Sequence, residues 1–147
     1  MHALAGPGVL LGLQYKVKGD DKYTKNFPQG ALIVAEMSSS ENLFSPEYRK
    51  GCIEMFKKYR HQNLEIPPIG FIAQSMLMTN PDSIQMTPDV SLTSKGDGLG
   101  QNYVSVEDAI LKRGADVIIV GRGITSCTNE SAMIEIAKEY QRLGRNT

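Results

Sequence analysis

Three short stretches of unbroken apolar character constrain the fold of this sequence more than any other feature: ALIVAEM at 31–37, IGFIAQS at 69–75 and DVIIVGR at 116–122. A half-exposed strand alternates apolar and polar residues, whereas a run that is apolar throughout needs burial on both faces, the situation of parallel strands covered by helices. A weaker fourth strand is expected in SIQMTP at 83–88. Helical signals separate the runs. Ser45-Pro46-Glu47 supplies a cap, a first-turn proline and a first-turn acid ahead of Tyr48, Cys52, Met55, Phe56 and Tyr59, whose spacing forms one apolar face of a helix reaching about His61. Ser105 and Asp108 have capping-box spacing before Ala109 and Ile110, and Met133, Ile136, Ala137 and Tyr140 stripe a final helix expected to stop before Gly144. The order is helix, β, α, β, β, α, β, α. Such alternation predicts an α/β fold with its functional groups at the carboxyl ends of the strands.

Composition narrows the partners. The 147 residues, 41% apolar and 22% charged, suffice for one globular domain with a core. Sixteen basic residues balance sixteen acidic ones and the isoelectric point is near 6.7, so neither nucleic acid nor an anionic membrane is the expected partner. A small molecule is. Cys52 and Cys127 are too few for a disulfide framework or a cysteine metal site and suggest a reducing, cytoplasmic setting. MHALAGPGVLLGLQ lacks a basic residue before its apolar run, which Gly6-Pro7-Gly8 interrupts, so it is not expected to direct export. His2 and His61 have no spacing that suggests a metal or a nucleophile pair.

Polar residues concentrate just after the apolar runs, in AEMSSSENL, MTPDVSLTSKGDGLGQNY and GRGITSCTN. The segment from Asp89 to Tyr103 is long for a connection inside a compact domain, and such loops are usually lids or binding loops. Its alternating Gly96, Gly98 and Gly100 free the backbone to fold over a ligand, and Gln101, Asn102 and Tyr103 follow with neutral donors. Arg122, between Gly121 and Gly123, offers a planar five-donor fork where backbone N–H groups can also approach, a combination suited to phosphate. An ordinary rim ion pair is the competing account of Arg122. For Ser38 it is a turn-capping hydroxyl. Glu36 is either a satisfied buried acid or a site-facing one.

LIVAEMSS, MTPDVSLTSKGDGLGQNY and KRGADVIIVGRGI, in this order and spacing, resemble the carboxyl-terminal half of eukaryotic orotidine 5'-phosphate decarboxylase as found in bifunctional UMP synthase, and HALAGPGVLLGL is similar to the family's stretch after its fourth strand. The resemblance implies a (β/α)8 TIM barrel, of which residues 1–147 are one partial domain carrying about four strands. In such barrels phosphate commonly binds at the loops after strands seven and eight. By resemblance, Ser38 bonds the pyrimidine ring, Gln101 and Tyr103 reach the phosphate from the closing loop, Gly121 and Arg122 bind it from the barrel rim, and Pro88 is the lid's first hinge; Asn102, counted with the substrate-binding residues, sits where the family often has glutamine. Asp89 stands where the family usually has glycine. No cofactor or metal is implied, since an array of aspartates and lysines acts on the substrate carboxylate and a lysine protonates C6. That array lies in the amino-terminal half, which the chain is expected to lack. Asp20 and Lys22 in DDKYTKN have its opening spacing but fit a solvated loop better.

Two classes of function follow. One is the binding half of an enzyme converting orotidine 5'-phosphate to UMP, inactive without its amino-terminal half and paired as a homodimer. The other is a non-catalytic nucleotide-binding or subunit-pairing module. A flavodoxin-like sheet holding a phosphorylated ligand uses the same strand-end logic without the family. If the chain is half a barrel, the outer edges of ALIVAEM and DVIIVGR are expected to be unpaired.

Overall fold

The computed structural model describes residues 1–17, 29–79, 81–92 and 102–147. Four strands, β1 (Ala31–Val34), β2 (Pro68–Ile72), β3 (Ile84–Thr87) and β4 (Val117–Ile118), form one sheet in the order β1-β2-β3-β4. Every pairing is parallel, with Ile33 beside Phe71, Phe71 beside Gln85 and Met86 beside Val117. Among the described residues the helices are α1 (Gly8–Val17), α2 (Pro46–Tyr59), a π helix (Asp108–Lys112), α3 (Arg122–Thr125) and α4 (Glu130–Asn146). This is the expected α/β alternation.

Helix α2 starts where its cap predicts. The Ser45 hydroxyl accepts the Tyr48 N–H at 3.2 Å, and Pro46 occupies the first turn, where no intrahelical donor is lost. Its apolar face drives Cys52 and Phe56 against Ile33, Ala35, Phe71 and Ala73, all at most 1% exposed. Phe56 and Phe71 meet with ring centroids 4.9 Å apart. Burying one such side chain contributes about 1.5–3 kcal/mol, so this ring pair anchors the β1–β2 end. The Cys52 thiol, raised in pKa by that burial, belongs to the core.

Strands β2 and β3 are parallel, yet residues 73–79 and 81–83 between them carry neither helix nor strand. Parallel neighbours usually need a helical crossover. Gly70 permits the close approach, because a Cβ there would collide with the Ile84 backbone carbonyl.

Four expectations need correction. The outer edge of β1 is not bare: residues 1–2 lie along it, with a parallel bridge from His2 to Val34 and the Val34 N–H on the Met1 carbonyl at 2.8 Å. Tyr48 fastens the same segment, donating to the Val34 carbonyl at 3.1 Å and accepting the Ala3 N–H at 2.8 Å; burial pushes its phenol up to about 12. Strand β4 is only two residues long, and Val117 is 41% exposed, because among the described residues nothing pairs beyond β4 to cover it. Gly121-Arg122-Gly123 does not continue as loop but turns at once into α3. Helix α4 passes through Gly144 to Asn146, with Ala137 exposed and Ile136, Tyr140 and Leu143 forming the packed stripe.

A second core joins Val90, Val104, Val106, Ala109, Ala115 and Tyr140 at the β3–β4 end. Ser105 caps the segment entering the π helix, accepting the Asp108 N–H at 3.1 Å, while the Asp108 carboxylate turns to Lys112 at 2.6 Å. Gly114, at φ +67°, ends that helix in a left-handed turn that favours glycine.

Candidate functional site

The carboxyl ends of the strands carry the polar residues. After β1 come Glu36 and Ser38, after β2 Gln74 and Ser75, after β3 Pro88 and Asp89, and after β4 Gly121 and Arg122. Glu36 is the satisfied alternative of the two open to it. Its carboxylate accepts the Gln74 N–H at 2.8 Å, the Ser75 N–H at 2.7 Å, the Ser75 hydroxyl at 2.8 Å and Arg49 Nη1 at 3.0 Å. Burial by itself raises its pKa, but these donors, led by the Ser75 hydroxyl, outweigh burial and hold the carboxyl below its ordinary range. One acid thus ties the ends of β1 and β2 to α2.

Gln74 extends the same network to Pro88. Its Nε2 donates to the Pro88 carbonyl at 3.0 Å, and its Oε1 accepts Arg113 Nη1 at 2.7 Å. Pro88, expected as the lid hinge, is therefore held by a side chain from the neighbouring strand end. Sequence reasoning missed Gln74; its one signal was a polar amide directly after a buried apolar run.

Asp89 adopts φ +57°, a left-handed conformation that glycine enters freely and Asp or Asn tolerates. The aspartate thus keeps a backbone geometry suited to the glycine that the resemblance places there. Its Oδ2 accepts the Ser38 hydroxyl. Asn102 closes on the same serine from the far side of the loop, its backbone N–H lying 3.3 Å and its Nδ2 3.4 Å from the Ser38 carbonyl. The stem of that loop is clasped by a parallel bridge between Val90 and Val104, with the Ser91 N–H on the Val104 carbonyl at 2.8 Å.

Ser38 and Asn102 are thus brought together, with Asp89 between the strand ends as the residue whose contact was not foreseen. Gly121 caps α3 and Arg122 is its first residue; both are exposed to solvent at the end of β4. Gly123 lies against Tyr140, and a Cβ there would land on the Tyr140 hydroxyl. That hydroxyl also accepts the Leu92 N–H at 3.1 Å, so one buried tyrosine touches both the loop after β3 and the loop after β4. Tyr103 is half-buried. Gln101, Gly96, Gly98, Gly100, Asp20 and Lys22 lie outside the described residues. Among the described residues no group of three or more His, Cys, Asp or Glu side chains is arranged to hold a metal ion, and no helix is long and apolar enough to cross a membrane.

Parallel strands with hydroxyl, amide and guanidinium groups collected at their carboxyl ends define an α/β protein whose candidate site is that rim. Comparison with known proteins makes the class specific. The family described as Orotidine 5'-phosphate decarboxylase / HUMPS matches residues 1–136. Uridine 5'-monophosphate synthase of Bos taurus is 37% identical over 141 residues, covering 96% of this chain and 26% of that protein. Orotidine 5'-phosphate decarboxylase of Eremothecium gossypii is 42% identical over 126 residues (84% of this chain, 43% of that protein), and that of Pichia kudriavzevii 39% over 148 residues (99% and 52%). The chain belongs to the orotidine 5'-phosphate decarboxylase / HUMPS family. It spans about half or less of the length of these curated relatives, and its four parallel strands are part of the family's TIM barrel.

Proposed function

We propose that this chain forms the nucleotide-binding part of an orotidine 5'-phosphate decarboxylase, taking orotidine 5'-phosphate to UMP. The observation that carries this reading is the meeting of Ser38 and Asn102, 64 residues apart in sequence, at the carboxyl rim of a parallel sheet whose chain belongs to this family. Ser38 faces the pyrimidine. Asn102, Tyr103 and Gln101 approach from the loop after β3, and Gly121 and Arg122 hold the 5'-phosphate at the end of β4, where the guanidinium fork and backbone N–H groups suit a dianion. Pro88 is the hinge of that loop.

In the reaction the bond from C6 to the carboxylate breaks, CO2 leaves, the electron pair stays on C6 and a lysine delivers the proton. Phosphate contacts remote from C6 contribute by holding the nucleotide and closing the loop over the charged array. We assign that Asp/Lys array to an amino-terminal barrel half that completes the site. Residues 1–147 alone then bind nucleotide without decarboxylating it, and the joined halves, acting as a homodimer in the cytoplasm, turn over. A non-catalytic nucleotide-binding module is the second reading, and decarboxylation by the joined halves decides between them.

The direct test is Arg122→Ala, with UMP and uridine titrated by calorimetry. Removing a charge-assisted contact worth about 1.5–3 kcal/mol weakens UMP about 10- to 100-fold and leaves uridine nearly unchanged. Equal losses for both ligands would remove Arg122 from the phosphate role.

A further inference from the structure

Tyr140 stands between the segment after β3 and the turn after β4. Helix α4 delivers it: Asn129 caps the helix, accepting the Ala132 N–H at 2.9 Å, and the stripe of Ile136, Tyr140 and Leu143 packs into the second core. A phenol with 4% exposure needs a partner for its oxygen. It has one in the Leu92 N–H, 3.1 Å away. On its other side the same oxygen meets Gly123, the residue next to Arg122. The hydroxyl fills the space that a side chain at 123 would take, while the ring carbon Cζ stands 3.3 Å from that point. Gly123 does not have the positive φ of Gly6 and Gly114, so what it supplies is clearance rather than conformational freedom. Helix α3 is a single turn that rests on this underside: Ile124 packs into the same core and Gly123 lies on the phenol, while Arg122 faces solvent. One rigid ring therefore sets the separation between the Leu92 backbone and the Arg122 backbone.

Resting on the reading above that Arg122 holds the 5'-phosphate, we infer that Tyr140 is a positioning residue for phosphate recognition. Its hydroxyl is a spacer that fixes how far the Arg122 turn stands from the segment after β3, and Gly123 is the notch that receives it. Tyr140 does not touch the ligand. Without its oxygen the Leu92 N–H loses its acceptor and α3 loses its underside contact, so the guanidinium is no longer held at one distance from the strand ends. A planar fork binds an anion only in the geometry that brings its donors onto the oxygens together. Loss of the spacer therefore weakens ligands that carry phosphate and spares the nucleoside.

The test titrates the 147-residue chain and its variants with UMP and with uridine to millimolar concentration, following backbone amide shifts of the folded protein by NMR, so that a loss of global stability does not enter the affinities. Tyr140→Phe should weaken UMP about 3- to 10-fold, the scale of one hydrogen bond, and leave uridine within about twofold of the wild type. Gly123→Ala should weaken UMP at least as much, because the added Cβ drives the hydroxyl off its place. In the double variant that Cβ faces the ring at 3.3 Å with no oxygen in the way, so the alanine should weaken UMP by less than about twofold beyond Tyr140→Phe. Losses that simply multiply overturn the spacer role. A Tyr140→Phe variant that keeps the wild-type ratio of UMP to uridine affinity, beside an Arg122→Ala variant that loses UMP selectively, overturns the role of Tyr140 and leaves the phosphate reading standing. Equal losses of UMP and uridine in Arg122→Ala, or a wild type that binds neither, overturn the phosphate reading and this inference with it.

Discussion

The two ends of the sheet are built on different principles. At the β1–β2 end, a fourteen-residue helix lays two fully buried side chains across strands of four and five residues, and a pair of aromatic rings closes the seam. At the β3–β4 end, a two-residue strand, a π helix and the stem of a loop share a core of valines, alanines and one tyrosine, drawn from segments that individually bury little. The first end holds by helix-on-sheet packing, the second by many small contacts and a few polar bonds. Elements of low local stability open most readily, so the contrast predicts a rigid platform at β1–β2 and easier local opening at β3–β4.

The sharpest way to break the contrast is Phe56→Ala. Loss of this ring from a fully buried position should cost about 3–5 kcal/mol of global stability by denaturant unfolding. A loss below about 1 kcal/mol would show that the β1–β2 end is not the platform. Glu36→Gln comes next, at about 2 kcal/mol, because it weakens charge-assisted bonds to Arg49, Ser75 and the backbone of Gln74. It also carries a pH signature. The folded carboxyl titrates below its ordinary 4.5, so its stabilisation is fully present above about pH 4.5 and is lost as the pH falls through the lower folded value. The wild type should lose stability over that acid range more steeply than Glu36→Gln, and parallel acid curves would discard the assignment.

Tyr140→Phe is the mildest change and the most local. Removing the hydroxyl that accepts the Leu92 N–H should cost about 1 kcal/mol and speed hydrogen exchange at Leu92 and Ser91, with Phe71 and Ile33 unaffected. Uniform acceleration across both ends would mean that the molecule opens as one unit and that the contrast has no dynamic content.

The same contrast governs how much was legible in the sequence. ALIVAEM and IGFIAQS each contain a strand, and Ser45 to Tyr59 became the expected helix, because local signals of cap, proline and apolar stripe coincide there with the tertiary packing. DVIIVGR, with four consecutive β-branched residues, yielded the shortest strand. Continuous apolarity reports the burial available in a complete sheet, and Val117 lies at an edge. The π helix escaped because its widened turn depends on the bonds of Arg113 and Ala115 back to Asp108 and Ala109, which no side-chain period encodes. At the site, the ring contact of Ser38 came from a resemblance, whereas loop length and composition pointed to Asn102 and the flanking glycines to Arg122. The Asp89–Ser38 bond spans 51 residues between two loop turns, and Glu36 could be resolved only when its four donors were seen together.

Gln74 gives the proposed hinge a natural reporter. With Oε1 held by Arg113 and Nε2 on the Pro88 carbonyl, its amide plane cannot flip without breaking two bonds at once, so its two side-chain protons occupy chemically distinct environments. Their pair of nitrogen-15 correlations is a sentinel that needs no attached label: any swing of the segment after β3 that lifts the Pro88 carbonyl shifts one proton of the pair and leaves its twin in place.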